Sequence, residues 1–407
     1  MGYVAVDKLK QGMVLDESVY DINSRLLLSK GQKISQNHVR VLKIWGVSRV
    51  SVIGKEKEED EETPSVDDKN TKLIKESINV LYKNADLTNP IFKQIYISAL
   101  VHRLKGTFGS LPEQTPKNRM GGTDLKKPEK IRRQIDVTDI KLPEAPTVIS
   151  ELNQVIDDPL TTSNDVAQVV NKSPSLAAML LKIVNSAYYG FPSKIDRISR
   201  AVTIIGTKEI SGLALGICVM QAFKDIPEGV LNIKAFMRHS LVCGMISRIL
   251  AANNNMPQTE QMFVSGLLHD IGKLIVHKYY PNHAKACMEL GASSDRSIFQ
   301  TEKMVLGLNH QQIAKLLLSK WKLPNEIITN IIYHHEPGKA PDPKKSGIIH
   351  IADIISHGLG IGSSGERSIP KVDHPLVDEI VNSRDSIKLV IRQIVHQFGP
   401  MDAIFSD

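Results

Sequence analysis

The sequence predicts a mainly all-α protein preceded by a small α+β module, and three observations predict it. Apolar residues recur at three- and four-residue steps from Ile135 onward, the period of amphipathic helices. Aromatics make up only 5% of the chain, while Leu, Ile, Val and Ala are frequent, which disfavours a β-sandwich. Residues 1–54 depart from the helical pattern, with short apolar runs separated by turn residues. With 407 residues, 42% of them hydrophobic and 23% charged, the chain can fill at least one large core, which excludes a wholly disordered protein.

Taken in order, Tyr3 to Val6 is predicted as a strand. Met13 to Tyr20 and Leu26 to Ser29 are predicted as strands around the polar turn Asp21-Ile22-Asn23-Ser24. Ser35 caps a predicted helix running to about Ile44, with Val39, Leu42 and Ile44 on its apolar side. Gly46 ends it, and Val50 to Ile53 closes the module as a strand. Residues 55–70 are dominated by Lys, Glu and Asp and supply no core, so they read as an acidic linker. Residues 71–104 read as two helices broken near Asn89-Pro90. Residues 105–134, rich in Gly, Pro and Lys and ending at Arg132-Arg133, read as a basic flexible linker.

Residues 135–407 are predicted as one domain of packed helices. Periodic stretches run through Val148 to Ile156, Val166 to Val170, Leu176 to Val184 and Ala201 to Phe223. Pro143, Pro174, Pro192, Pro281 and Pro324 fall at helix starts or in connecting loops.

Cys218, Cys243 and Cys287 are scattered, with no CxxC, so neither a disulfide scaffold nor a cysteine-type zinc site is indicated. A reducing compartment fits, and the absence of a secretory h-region after Met1 makes the cytoplasm the expected location. No apolar run reaches roughly 18 residues, so no membrane span is expected. The formal charge of +7 permits an acidic partner. The 51 basic and 44 acidic residues are mostly interleaved, however, and no nucleic-acid-binding module is recognisable, so nucleic acid is not the expected partner.

The chemistry concentrates in the helical region. His239 lies on a helix with Phe236, Val242, Ile246 and Leu250. His269-Asp270 is read within one continuous helix, between Phe263–Leu268 and Ile271–Val276. His310 opens a helix, His334-His335 ends another, and Asp353 lies inside the run Ile348–Ile355. Asp270 and Asp353 are the physical key, because a carboxylate in an apolar run is costly unless paired, protonated or bound to a cation. A divalent cation shared with imidazoles satisfies both residue types. His269 and Asp270, about 100° apart on one helix, converge on one ion if other helices supply the rest, for which His239 and Asp353 are the candidates. His310, His334 and His335 are candidates for a second ion bridged by Asp270.

Singly, each has an ordinary reading: His239 as a core histidine, His310 as a helix-start residue, His334-His335 as a helix's last turn, and Asp353 as a carboxylate paired with a base or facing solvent. His350 and His357, at i−3 and i+4 from Asp353, are candidates for partners behind the ligands. His38, His102, His277, His283, His374 and His396 carry no functional expectation.

The order His239, His269-Asp270, Asp353 resembles the HD superfamily of metal-dependent phosphohydrolases. His310 and His334-His335 match the further ligands of its binuclear members, such as the HD-GYP cyclic-di-GMP phosphodiesterases. Leu142-Pro143, Ser173-Pro174-Ser175-Leu176, Asn185-Ser186-Ala187-Tyr188-Tyr189-Gly190 and Ala201–Gly206 look like the HDOD family of bacterial HD-related output domains. Leu306–His310, Lys320–Pro324 and His334-His335-Glu336-Pro337 fit the same family. The resemblance covers about residues 135–360, with the HD-like part at about 230–360. Residues 3–53 resemble the small module that precedes HD-GYP and HDOD domains. Two positions depart from the patterns. Glu336-Pro337-Gly338-Lys339 replaces the Gly-Tyr-Pro signature, and Ser173 stands where HDOD members commonly have Asp.

The resemblance implies a bacterial signal-transduction output protein. Its HDOD domain would bind one or two divalent ions (Fe, Mn, Ni or Zn) and/or a phosphorylated ligand, and regulate protein partners. The alternative it implies is an active metal-dependent phosphohydrolase, with a cyclic dinucleotide among the candidate substrates. There Asp270 and Lys273 would be the catalytic residues, Lys273 standing four positions after His269 on a shared helix face and stabilising phosphate charge. A lysine snorkelling to solvent is the competing reading of residue 273.

Overall fold

The structure is a computed structural model. It describes residues 2–53, 69–105 and 135–406, except 7–8, 21–25, 45–46, 48, 159, 187–188, 190, 192, 224–225, 227–230, 295, 370–373 and 382. The turn at 21–24, Gly46, Pro192, most of the expected acidic linker (55–68) and the basic linker (106–134) lie outside the described residues.

The N-terminal residues form β1 (Gly2–Ala5), β2 (Val19–Tyr20), β3 (Leu26–Leu28), α1 (Gln36–Ile44) and β4 (Arg49–Val52). β1 pairs antiparallel with β4, Val4 opposite Val50, and β2 pairs antiparallel with β3. Ser35 Oγ accepts from the His38 backbone N at 3.2 Å at the start of α1. Val4, Leu15, Leu28, Ile34, Leu42 and Val52 close a core of their own. The strand expected over Met13–Tyr20 is interrupted. Val14 and Leu15 make isolated bridges to Lys33 and Val52, and regular pairing resumes only at Val19, past the polar bend Asp16-Glu17-Ser18.

Helices follow. α2 (Lys69–Leu81) and α3 (Pro90–Leu104) are separated where Asn89 Oδ1 caps the Ile91 N at 2.9 Å and Pro90 takes the first helical position. Next come α4 (Thr147–Asp157), α5 (Ser163–Asn171), α6 (Pro174–Val184), α7 (Ile198–Ile205) and α8 (Thr207–Gln221). The single periodic stretch expected over 201–223 is divided at Gly206, whose φ of +117° turns the chain between α7 and α8. Ser173 Oγ caps α6 by accepting from Leu176 N. Asp is an equally good cap, which accounts for either residue at that position.

The remaining elements are α9 (Ile233–Asn253), α10 (Thr259–Leu268), α11 (Ile271–Tyr279), α12 (Pro281–Ser294), α13 (Ile298–Leu306), α14 (His310–Lys320), α15 (Asn325–Ile332), α16 (Pro343–Leu359), α17 (His374–Val381) and α18 (Arg384–Ser406). One continuous core runs through them and through α2–α8, including Ile78, Phe92, Leu180, Phe223, Phe263, Trp321, Ile355 and Ile394. Trp321 ties the upstream helices to the downstream ones. Its Nε1 donates to Pro143 O at 2.9 Å, and its carbonyl accepts from Asn153 Nδ2 at 2.9 Å. α9 lies against both α10 and α16, which brings the chemistry-bearing segments together. No described helix is long and apolar enough to cross a membrane.

Candidate metal centre

His239 projects from the second turn of α9, and Asp353 from the interior of α16. His239 Nε2 lies 3.0 Å from Asp353 Oδ1. His269 and Asp270 stand at a break rather than within one helix. α10 ends at Leu268, Asp270 adopts φ −101° and ψ 10°, and α11 begins at Ile271. The expected continuous helix is therefore corrected, and with it the shared helix face of His269 and Lys273. The break is what lets two adjacent side chains converge. His269 Nε2 comes within 3.2 Å of Asp270 Oδ2 and 3.5 Å of Asp353 Oδ1.

The other oxygen of Asp270 faces the second group. Its Oδ1 lies 3.3 Å from His310 Nε2 and 3.9 Å from His334 Nε2. His335 Nε2 is 3.1 Å from His310 Nε2. His310 is the first residue of α14, as expected, and His334-His335 occupy the turn just past α15. The close approach of α11 to α14 needs Gly272. A Cβ there would lie 1.9 Å from His310 O.

Candidate ligand atoms gather in three overlapping groups: Asp270, His310, His334 and His335; His239, His269 and Asp270; and His239, Asp353 and His357. Except for the half-buried His335, the seven expected ligands are buried. Five of their atoms make no well-directed hydrogen bond, close as they lie to one another: Nε2 of His239, His269 and His334, and Oδ1 of Asp270 and Asp353. Buried polar atoms are rarely left so, and these five face one another across the centre. That is the donor set a divalent cation takes from imidazole and carboxylate, so the residues present fit one or two such ions.

The reverse sides of the rings are engaged. Nδ1 of His269 pairs with Gly266 O at 2.8 Å, Nδ1 of His334 with Ile331 O at 2.6 Å, and Nδ1 of His239 with Ser356 Oγ at 3.0 Å. Each contact leaves Nε2 directed inward. Burial pushes His239, His334 and His335 below the ordinary imidazole value, and His357 down to about 3. Burial alone would raise Asp270 and Asp353. His269 and Lys273 outweigh it for Asp270, and His357 and His239 for Asp353, so both carboxyls stay well below their usual range. Burial would lower His269, but the Asp270 carboxylate outweighs it and raises the imidazole.

Lys273 is buried, 2% exposed, and does not snorkel to solvent. Its Nζ donates to Asp270 Oδ2 at 2.8 Å and Ser364 Oγ at 3.3 Å. His357 joins the site as a neighbour of Asp353, at 3.3 Å. Several members had no local sequence signal. Ser364 reaches Lys273 and His357 Nε2 from the loop after α16. Gly362, with φ +71°, lets that loop lie against α9, where a Cβ would be 2.3 Å from His239 N. Phe299 packs on His335 with ring centroids 4.8 Å apart. Glu302 was detectable in principle, since Ile298, Glu302 and Leu306 share a buried stripe at four-residue steps.

Residues 142–337 match the family model described as "HDOD domain". That segment carries every expected ligand except Asp353. An uncharacterised protein from Treponema pallidum (strain Nichols) is 24% identical over 214 residues, 52% of this chain and 41% of the relative, so the chain spans under half of that relative's length. Among solved structures, a candidate phosphohydrolase from Shewanella amazonensis SB2B has a TM-score of 0.53 at 23% identity, covering 65% of this chain and 94% of that one. A candidate signal transduction protein from Marinobacter aquaeolei VT8 has a TM-score of 0.53 at 20% identity, covering 82% of this chain and 69% of that one. At these identities the two structures speak for a shared fold. They agree with the helical architecture, and residues 142–337 of the chain, just under half of it, match the HDOD domain.

Proposed function

We propose that this HDOD domain is a metal-containing regulatory output module that signals to protein partners. His239, His269, Asp270 and Asp353 would hold one divalent ion, and Asp270, His310, His334 and His335 a second. Fe, Mn, Ni and Zn are all compatible with these mixed ligands. The observation that carries this reading is the set of five buried atoms that lack a well-directed hydrogen bond and converge on one another around a divided Asp270 carboxylate. Regulation is favoured over turnover by enclosure. Of the seven proposed ligands only His335 is partly exposed, and Ser364 and the Gly362 loop lie over the Lys273 side. The Gly-Tyr-Pro signature is replaced by Glu336-Pro337-Gly338, part of a tight turn.

A second reading, a metal-dependent phosphohydrolase acting on a phosphodiester such as a cyclic dinucleotide, is supported by the buried ammonium of Lys273 beside Asp270. Bound ions would supply Lewis-acid stabilisation of phosphate oxygens. Lys273 would add a positive donor for an anionic ligand, and Asp270 would keep both halves of the site in register.

The test pairs elemental analysis with an assay. The full chain, purified without chelator and incubated with Mn, Fe, Ni or Zn, should hold close to two ions, and Asp270→Ala should hold almost none. Metal-loaded protein inert towards cyclic dinucleotides and simple aryl phosphodiesters supports the regulatory reading. Turnover that vanishes in Asp270→Ala supports the hydrolase. A wild type that takes up no metal overturns both.

A further inference from the structure

Glu302 is 2% exposed and sits in the middle of α13. A three-residue connection, Gly307-Leu308-Asn309, leads from α13 into α14 and brings His310 to Glu302. Glu302 Oε2 accepts from the His310 backbone N at 2.8 Å and from His310 Nδ1 at 2.6 Å. The carboxylate therefore fixes both the first residue of α14 and the tautomer of its ring. With the proton held on Nδ1, the lone pair of Nε2 faces Asp270 Oδ1 at 3.3 Å and His335 Nε2 at 3.1 Å.

The backing of His310 differs from that of its neighbours. His269 and His334 rest on backbone carbonyls, and His239 on a serine hydroxyl. Charge gives that difference a meaning. The residues proposed for the first ion include two carboxylates, Asp270 and Asp353. Those proposed for the second include only Asp270, shared, and three histidines. A dication amid neutral imidazoles in a buried site lacks compensating charge. A carboxylate behind a ligating histidine restores part of it and makes the ring a stronger donor.

We infer that Glu302 is a positioning residue that sets occupancy of the second ion, acting through His310 rather than touching the ion. This rests on the two-ion reading above. The effect is selective, because among the described residues Glu302 bonds to His310 and to none of His239, His269, Asp270 or Asp353.

The test uses the full chain loaded with Mn(II), with metal content, titrated affinity and electron paramagnetic resonance as readouts. Wild type should bind two ions and give the spectrum of an exchange-coupled pair. Glu302→Gln, which keeps the shape and removes the charge, and Glu302→Ala should each keep one tightly bound ion with the six-line spectrum of isolated Mn(II). The second ion should bind about 10- to 100-fold more weakly, the scale seen when partners behind a ligand are removed. The first should change by less than about threefold. If Glu302→Gln retains both ions at wild-type affinity, or loses both together while remaining folded, the inference is overturned and the two-ion reading stands. Wild type that binds neither Mn(II) nor Fe, Ni or Zn overturns the reading itself and this inference with it.

Discussion

Lys273 donates to Asp270 at 2.8 Å across the break between α10 and α11, with both residues almost fully buried. Burial alone would lower the ammonium pKa, but Asp270 outweighs it and holds Lys273 above its ordinary value. Removing one member of such a pair leaves the other uncompensated. Lys273→Met should therefore cost about 3 kcal/mol of stability in chelator-treated protein. In metal-loaded protein the penalty should shrink, because a cation on Asp270 replaces the lost charge. Denaturant unfolding of wild type and variant, with and without metal, checks this. An equal penalty in both conditions would count against a cation site at Asp270.

Of the other proposed ligands Asp353 lies against His239 at 3.0 Å and His269 at 3.5 Å, both of the first ion, and its further neighbour is His357 at 3.3 Å. Asp353→Asn should lower metal content from about two ions to about one. This variant and Glu302→Gln would lose opposite ions, so the double variant should be nearly metal-free. Two ions retained in Asp353→Asn would show that Asp353 is a structural partner of His239 alone.

Gly272 sits where α11 crosses His310 at van der Waals distance. With the added Cβ only 1.9 Å from His310 O, backbone rather than a flexible side chain must move. Gly272→Ala should cost about 3 kcal/mol, the upper end for overpacking, and should weaken the second ion by displacing His310. A melting temperature within a degree of wild type would mean that the two helices part freely.

Much of this was legible in the sequence, for identifiable reasons. The α2–α3 boundary is written by Asn89-Pro90, a side-chain cap followed by a residue suited to the first helical position. Asp270 and Asp353 stood out because carboxylates inside apolar runs demand partners. The break at His269-Asp270 was not legible. Apolar residues keep helical period on both sides, no proline marks the junction, and the chain turns there under tertiary packing against α14. Ser364 and Glu366 come from a loop whose composition resembles any exposed turn. Only the fold brings Ser364 to Lys273 and sets Glu366 Oε1 on Ile298 N at 2.9 Å.

The end of α16, which carries Asp353 and His357, is held from α3 and from the turn just after α2. Arg103 donates to Leu359 O at 3.1 Å and Gly360 O at 2.6 Å, and Tyr82 OH donates to Gly358 O at 3.1 Å. Burial lowers the guanidinium to about 10, which still leaves it charged at neutral pH. Arg103→Ala strips two buried carbonyls of a charged donor and should cost about 3 kcal/mol. Arg103→Lys should recover only part, since one ammonium does not reproduce the planar fork. Unfolding midpoints of the three proteins decide it. A change below about 0.5 kcal/mol in Arg103→Ala would show that α3 is not needed to anchor α16.

His277, in the last turn of α11, lines a small cavity with Lys273, Cys287 and Glu302. Burial pushes its imidazole down to about 4, with Glu302 opposing and Lys273 reinforcing the shift. In the unfolded chain a histidine titrates near about 6.5. Between those values the unfolded chain takes up a proton that the folded chain refuses. His277 therefore contributes its stability above about pH 6.5, and that contribution is lost as pH falls towards 4. From pH 7 to pH 5 the loss should approach about 2 kcal/mol. His277→Gln has no proton to gain and should be less acid-sensitive than wild type by about that amount. Unfolding midpoints at the two pH values test this against the remaining histidines, which both proteins share. Parallel pH profiles would show that His277 is already hydrated in the fold and titrates as it does in the unfolded chain.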